Sequence, residues 1–419
     1  MRYTPTWQIC SCFLYIQRRR RSRLRVINTL FALAMALAVS VATAATPAHP
    51  AHARAAPLPN DAASVVETLG TPGLHWFVVN DFDGKARLFN GDNGRMLGML
   101  STSPFTPTVE IDIPRGELLT ADGYYERGTR GKRTDVVSVY SLATLAPLGE
   151  VVIPAKVAAG LPHRGYTGLL DGGRFMTVYN FSPAMSVTVV DLQTRKLAQE
   201  ISTPGCGLTY PASADSFLQL CGDGTMQRVR LAADGTEAGR DRSKAFFSVL
   251  DDPLTEKGVR NGDHWLFVTF TGRVFSLAGA DLTVGEPWSL TDATSAAGRA
   301  LVRPVTKDAK EAGWRVGGWQ HLALHRTSGE LLALMHQGGA NTHKDPGTEV
   351  WVYNVASHKL LKRFKLKTPA MSLEVSQDAK PLFYAGNPVT RAVEVYGLDD
   401  GKLKRTISDT GVTALLESF

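Results

Sequence analysis

Over most of the chain, apolar and polar residues alternate in short runs, and the runs come in pairs divided by turn-forming residues. The plan recurs seven times, at 84–101 (GKARLFNGDNGRMLGMLS), 135–153 (DVVSVYSLATLAPLGEVVI), 186–202, 224–239, 272–290, 348–366 and 391–408. Alternation with period two marks a strand with one face buried, and two such runs around a turn of Asp, Asn, Gly or Ala read as a hairpin. Between the hairpins lie further apolar runs, GELLTAD, GRFMTVYN, HWLFVTF, GELLALMHQ and KPLFYAGN. These bring each unit to about four strands.

Matching positions such as Val139, Val189, Val229, Val352 and Val395 recur roughly every 40–50 residues, with one wider gap over 291–347. Four strands at that period form a propeller blade. The pattern predicts an all-β protein, a seven-bladed β-propeller of four-stranded antiparallel blades, over residues 54–419. Drift of the repeat keeps six or eight blades as alternatives. One blade cannot bury its apolar faces alone, so the ring must close by pairing the two chain ends. HWFVVND near residue 75 and VTALLES at 412–418 are the predicted closing strands. TKDAKEAGW, 306–314, is the one stretch that could form a short surface helix.

Charge changes meaning once the N-terminus is read. Arg18 to Arg25 form a basic segment, residues 26–41 an apolar one, and Ala42-Thr43-Ala44 or Ala51-His52-Ala53 a small-residue cleavage pattern. Residues 1–53 therefore read as a secretory signal peptide, cut after about residue 44 or 53. Its apolar core is shorter than the ~20 residues of a membrane span, so no anchor is expected after processing. The formal net charge of +7 equals the seven arginines before residue 26, and no Asp or Glu precedes Asp61. A neutral mature chain gives no electrostatic case for nucleic acid.

Cys10 and Cys12 leave with the leader, so Cys206 and Cys221 remain. In an exported chain a single pair favours a disulfide over a metal site or a catalytic thiol, with two buried free thiols as the other possibility.

Three patterns invite chemistry. The segment GYYERGTRGKRTDVVSVYS, 123–141, sets Arg127, Arg130, Lys132 and Arg133 and two glycines before a strand. A phosphate loop would need glycine at 126 and a hydroxyl at 133, where Glu126 and Arg133 stand; a solvated loop and a protein contact are the remaining readings. His321, His325, His336 and His343 crowd together, but QHLALHR alternates like a strand, which would hold His321 and His325 more than ~13 Å apart. Structural or interface histidines fit better than a metal site. Asp112, Asp122, Asp251, Asp252 and Asp263 stand in turn contexts, where a carboxylate serves the backbone. By the residues alone this is an exported propeller without visible chemistry.

The same segment closely resembles a stretch in the heavy subunits of quinoprotein amine dehydrogenases. CGDGT (221–225), SKAFFSVLDDP (243–253), PWSL (287–290), GGWQHLALHR (317–326) and THKDPGTEVWVYN (342–354) resemble that family in the same order across nearly the whole mature chain. RGKRTDVV and SKAFFSVLDDP look more like the aromatic (aralkylamine) branch, GGWQ and VSQDAKPL (375–382) more like the methylamine branch; the balance leans to the former. The resemblance implies a periplasmic heterotetramer of two heavy and two light chains. The light subunit would carry tryptophan tryptophylquinone, oxidise a primary amine to aldehyde and ammonia, and pass electrons to a blue-copper protein.

This chain would then hold no cofactor, no metal and no catalytic residue of its own. Cys206 and Cys221 fall where the family's disulfide does, Phe105 in TSPFTPT falls near the phenylalanine that lines the substrate passage, and Arg130, Lys132 and Arg133 become candidates for the subunit interface. The alternatives are a methylamine-type heavy subunit and an exported ligand- or protein-binding propeller without redox chemistry.

Overall fold

The computed structural model describes residues 68–104, 108–291, 313–339 and 341–419. The expected leader, residues 1–53, lies outside them, as do residues 306–312 of the expected helix; Gly313 and Trp314 open a strand, Gly313–Val316. The helical element among the described residues is one 3-10 turn, Arg164–Tyr166. None of their helices is long and apolar enough to cross a membrane.

The strands form seven antiparallel sheets. Blade 2 comprises 110–112, 117–125, 133–141 and 147–153; blade 3, 167–169, 175–180, 186–191 and 196–202; blade 4, 206–213, 216–221, 226–231 and 237–242. Blade 5 comprises 259–261, 264–268, 273–278 and 288–289; blade 7, 372–375, 382–387, 392–397 and 403–408. In blade 6 (330–338, 347–354, 359–370) the inner strand is broken into 313–316 and 322–325. Blade 1 takes 76–81, 85–90 and 96–101 from one chain end and its inner strand, 413–418, from the other. Phe77 pairs with Ser418 and Val79 with Leu416, so the expected closing strands do close the ring.

Seven apolar clusters fill the ring, one at each boundary between neighbouring blades. Period two explains how one strand serves two of them. Trp76 and Val78 face blade 2, while Phe77 and Val79 face blade 7. Likewise Leu118 packs toward blade 1, and Leu119 and Ala121 toward blade 3. Middle strands are apolar on both faces for this reason, and the outermost strands, with one face in solvent, are not.

Antiparallel strands place their connections alternately at the two ends of the ring. First-to-second and third-to-fourth turns share one end, the turn face, and run to two to six residues except for 279–287. Many are Asx turns: Asp191 accepts from the Gln193 and Thr194 amides, Asp234 from Thr236, Asp281 from Thr283 and Asp400 from Lys402. Second-to-third loops and the passages between blades share the other end, the crossover face. The longer connections, 154–163 and 243–258, lie there, together with loop 126–132.

Candidate functional site

The basic segment is the tip of the hairpin in blade 2, whose strands pair from Glu117–Ser141 to Tyr125–Arg133. Gly128 and Gly131 adopt left-handed conformations (φ +73° and +97°), which turns the chain tightly there. The loop consumes its own amides. Arg127 donates to the Arg130 carbonyl (2.9 Å), Gly128 to Tyr125 (3.2 Å), Thr129 to Arg127 (2.9 Å) and Lys132 to Glu126 Oε2 (3.2 Å). A phosphate cradle needs a run of such amides free and convergent, and those of Arg127, Gly128, Thr129 and Lys132 are already engaged within the loop.

Its three candidate residues separate. Arg133 folds back onto wholly buried Asp135, donating through Nε and Nη2 at 2.6 Å each, and Nη2 also reaches the Val157 carbonyl (2.9 Å). Val157 N–H returns a bond to Asp135 (2.8 Å), so Arg133 ties the hairpin to the passage into blade 3. Arg130 and Lys132 stand exposed, with no side-chain partner among the described residues.

A cavity of about 190 Å³ opens at the hairpin base between Ser103, Pro104, Gly123, Tyr125, Arg133 and Val157. Phe105 lies outside the described residues; Pro104, just before it, is on the cavity wall. That wall is held by Asp122, which sits in a strand and not in the turn its sequence context suggests. Its carboxylate accepts from Ser103 N–H (2.8 Å), Thr120 Oγ1 (2.5 Å) and Ser138 Oγ (2.7 Å). Period two places Thr120 and Asp122 on one face of the strand, and that was the legible signal.

A second cavity, of about 230 Å³, lies on the ring axis. Its centre is crossed by Arg164, which donates to Glu374 (3.0 Å) and to Glu417. Gln320 donates to Glu374 (3.0 Å), and its side-chain carbonyl accepts from Leu416 N–H (2.7 Å). Glu110 also lines the cavity and accepts from Thr167 Oγ1 (2.6 Å). Burial, then Glu374 and Glu110 against the opposing pull of Arg164, pushes the Glu417 carboxyl up to about 8. Burial also raises Glu110. With three carboxylates around one guanidinium, Glu417 keeps its proton near neutrality. The Arg164 side chain stays 42 % accessible to channel water although protein encircles it, which screens these charges more than a sealed core would.

The clustered histidines disperse. His325 bonds Ser328 Oγ (2.7 Å) and the Asp378 carbonyl (3.0 Å) on the turn face. His321, just before the inner strand, bonds Thr255 Oγ1 at 2.9 Å. His343 stacks on Phe270. No group of three His, Cys, Asp or Glu suited to a metal ion exists among the described residues. Cys206 and Cys221 face each other across the first two strands of blade 4 and are joined as a disulfide.

Exposed apolar side chains add a direction. Leu161, Phe181, Leu250 and Val389, 58 % to 92 % exposed, all sit in loops of the crossover face, against Leu74 and Ile113 at the turn face. The crossover face thus carries the long loops and the two most exposed large apolar side chains among the described residues, Leu250 and Val389, while Leu148, Val152 and others are exposed on the outermost strands.

Comparison with known proteins makes the class specific. Residues 75–417 match the methylamine dehydrogenase heavy chain (MADH) family. The chain is 30 % identical over 329 residues, 77 % of its length and 73 % of the relative's, to a methylamine dehydrogenase heavy chain of Paracoccus versutus. It is 29 % identical to that of Methylorubrum extorquens, over 77 % of this chain and 76 % of the relative. Among solved structures, a dihydro-heme d1 dehydrogenase, NirN, in complex with DHE superposes with a TM-score of 0.53 at 14 % identity, covering 84 % of this chain and 76 % of that one. A functionally unknown protein from Desulfotomaculum acetoxidans gives 0.53 at 11 %, covering 82 % and 98 %. These two likenesses concern the fold. The chain belongs to the methylamine dehydrogenase heavy-chain family.

Proposed function

We propose that this chain is the heavy subunit of a periplasmic amine dehydrogenase that converts primary amines to aldehyde and ammonia. In this reading two heavy chains assemble with two light chains, and the light subunit carries tryptophan tryptophylquinone and hands electrons to a blue-copper protein. The observation that carries it is the family match over 75–417.

The quinone, made from side chains of the light subunit, would supply the redox chemistry. Cys206 and Cys221 of this chain are tied in a disulfide, and in this reading the chain serves as a scaffold. Its own residues bury the partner and shape the amine's approach. Arg130 and Lys132 on the crossover face would meet the light chain, Arg133 fixes the hairpin that carries them, and Phe105, next in sequence to Pro104 of the cavity wall, is the candidate for lining the amine's passage. Excluding water beside a reacting amine strengthens every electrostatic contact there.

The names of the relatives favour methylamine as substrate. The RGKRTDVV and SKAFFSVLDDP segments favour an aralkylamine, and a larger pocket changes preference by only a few kcal/mol per group. Expression of the chain with its genomic neighbours, followed by a visible spectrum and dye-linked oxidation of methylamine, phenylethylamine and tyramine, separates these readings. A chromophore bleached by one of them in a complex with a small partner is the expected result. A colourless, inactive single chain would return the protein to the ligand-binding propellers.

A further inference from the structure

The outermost strands are the rim of the ring, and the blades differ in how that rim carries charge. The outer strand of blade 1, MLGMLS, has no charge, and that of blade 2, PLGEVVI, has Glu150 alone. In blade 4 the arginines of strand 237–242 have their acids: Arg240 pairs with Glu237 and Arg242 with Asp223. The outer strand of blade 6, KLLKRFKLKTPA (359–370), holds Lys359, Lys362, Arg363, Lys365 and Lys367 and no acid.

Two of these cations are engaged inside the fold. Lys362 donates to Glu330 (3.2 Å) and to the Leu398 carbonyl (3.3 Å). Arg363 donates to Glu349 (2.6 Å) and lies over the rings of Trp314 and Trp351, 4.9 and 4.4 Å from their centres. Lys359, Lys365 and Lys367 are exposed, with no side-chain partner among the described residues. Glu349 stands opposite Lys365 in register, but its carboxylate is taken by Arg363 and by the Trp351 indole N–H (2.8 Å).

The strip continues onto blade 7. The turn that opens its outer strand leans on blade 6: Lys362 reaches Leu398, and a side chain at Gly401 would run into the Phe364 ring. Lys402 follows, exposed and without a side-chain partner among the described residues, while Lys404 pairs with Asp400 (3.0 Å). Asp399 in the same turn offsets one of the four open lysines, and Glu394 is buried against Thr368 and Tyr396. Leu361 and Leu403 stand in the same two strands, 48 % and 37 % exposed.

Edge lysines can guard a strand against pairing with another sheet. The uncharged rim of blade 1 shows that this ring does not depend on them for that, and a guarded edge has no use for exposed leucines. Protein interfaces favour arginine and are depleted in lysine; here the arginine of the blade 6 strand is held inside the fold, and the open cations are lysines, compact hydrated charges without a directing fork. Lysines interspersed with exposed aliphatic side chains suit an anionic lipid surface, where charge draws the protein in and apolar groups enter the headgroup boundary. We infer that the outer rim of blades 6 and 7 is a docking surface for an anionic lipid membrane, formed by Lys359, Lys365, Lys367 and Lys402 with Leu361 and Leu403. The inference does not depend on the amine-oxidising reading, and it has the protein lie on a membrane without spanning it.

Vesicle flotation tests it, with the exported chain freed of residues 1–53, whose arginines and apolar run would bind lipid by themselves. The chain should float with vesicles of phosphatidylcholine mixed with phosphatidylglycerol at low salt and not with phosphatidylcholine alone. High salt should release it, since the screening length falls from about 10 Å at 0.1 M to about 3 Å at 1 M. A lysine near an anionic surface is worth about fivefold in binding, so Lys359→Gln, Lys365→Gln, Lys367→Gln and Lys402→Gln together should weaken partitioning by about a hundredfold or more. Leu361→Ser with Leu403→Ser should weaken it several-fold, and Arg130→Gln with Lys132→Gln, which removes cations from another part of the ring, should leave it unchanged. A thermal melt confirms that each variant is folded. A wild-type chain that does not float with the anionic vesicles, or a quadruple variant that floats equally well, overturns the site. Binding to poly-L-glutamate and not to vesicles would assign the strip to an acidic protein surface, and loss of vesicle binding once the light subunit is bound would assign it to the subunit interface; either result overturns the lipid assignment.

Discussion

The seam that closes the ring and the crossover face use the same kinds of residue to opposite ends. At the seam, strand 413–418 lies between blade 7 and the rest of blade 1, Leu415 and Leu416 are at most 1 % exposed, and Gln320, Glu374 and Arg164 tie it to the ring interior. On the crossover face, Leu250 and Val389 stand about nine-tenths exposed, and Arg130, Lys132, Lys257 and Lys344 have no partner among the described residues. At the seam, Arg164, Gln320 and Glu374 find their partners inside the chain. On the crossover face cations and apolar groups are left open, to solvent or to a partner.

The largest effect should come from the seam. Leu416 is wholly buried in the cluster between blades 7 and 1 and pairs with Val79. Leu416→Asp would bury an unpaired carboxylate and release the closing strand, costing upward of about 4 kcal/mol. We expect no cooperative melting transition from this variant. A folded ring with near-normal stability would show that closure does not depend on this strand.

The disulfide comes next. Cys206 and Cys221 enclose a loop with a separation of 15 residues, for which the chain-entropy account gives roughly 3 kcal/mol. A Cys206→Ser and Cys221→Ser double variant should melt several degrees lower while leaving seam and crossover face intact. An unchanged transition in denaturant would mean that the blade 4 hairpin is already held by its strand pairing.

The axial carboxylates give a pH dependence. Glu417, ordinarily near 4.5, is raised to about 8 in the folded chain. The folded chain therefore holds a proton that the unfolded chain has lost, and this contribution to stability is full below 4.5 and disappears as pH rises through 8. Partial solvation of Arg164 makes the effect modest. Melting temperature should fall gradually between pH 5 and pH 8.5, and Glu417→Gln should flatten that slope. An identical slope in the variant would move its origin elsewhere.

How much of this the chain revealed in advance follows from how local each signal is. Blade count, hairpins and closing strands were legible because alternation repeats every blade and HWFVVND has no second apolar neighbour in sequence to pair with. Asp122 was misread as a turn residue because its partners, Ser103 and Ser138, lie 19 and 16 residues away. The axial group of Glu110, Arg164, Glu374 and Glu417 draws one residue from each of four distant segments, so no spacing announces it. The histidine cluster was legible for the converse reason: alternation in QHLALHR already separated His321 from His325, and the two bond to different parts of the ring.

The smallest expected change in stability sharpens the comparison within a single loop. Arg133 is bound into the fold and Arg130 and Lys132 are not, although all three lie within four consecutive residues. Arg133→Ala leaves the buried Asp135 without its guanidinium and should cost about 2–3 kcal/mol. The double variant of Arg130→Ala and Lys132→Ala removes two solvated charges with no partner among the described residues, and should shift stability by no more than about 0.5 kcal/mol. If these side chains meet the light subunit, the double variant should instead weaken association of the two chains, more at low salt than at high, because exposed charges act over a screening length of about 10 Å at 0.1 M. Sedimentation velocity of heavy and light chains at two salt concentrations, set beside thermal melts of the heavy chain alone, measures both quantities. Weakened association with an unchanged melt would place the hairpin tip at the interface. Unaltered association would leave Arg130 and Lys132 as solvated charges, and would confine the role of the segment to the Arg133–Asp135 tie beneath it.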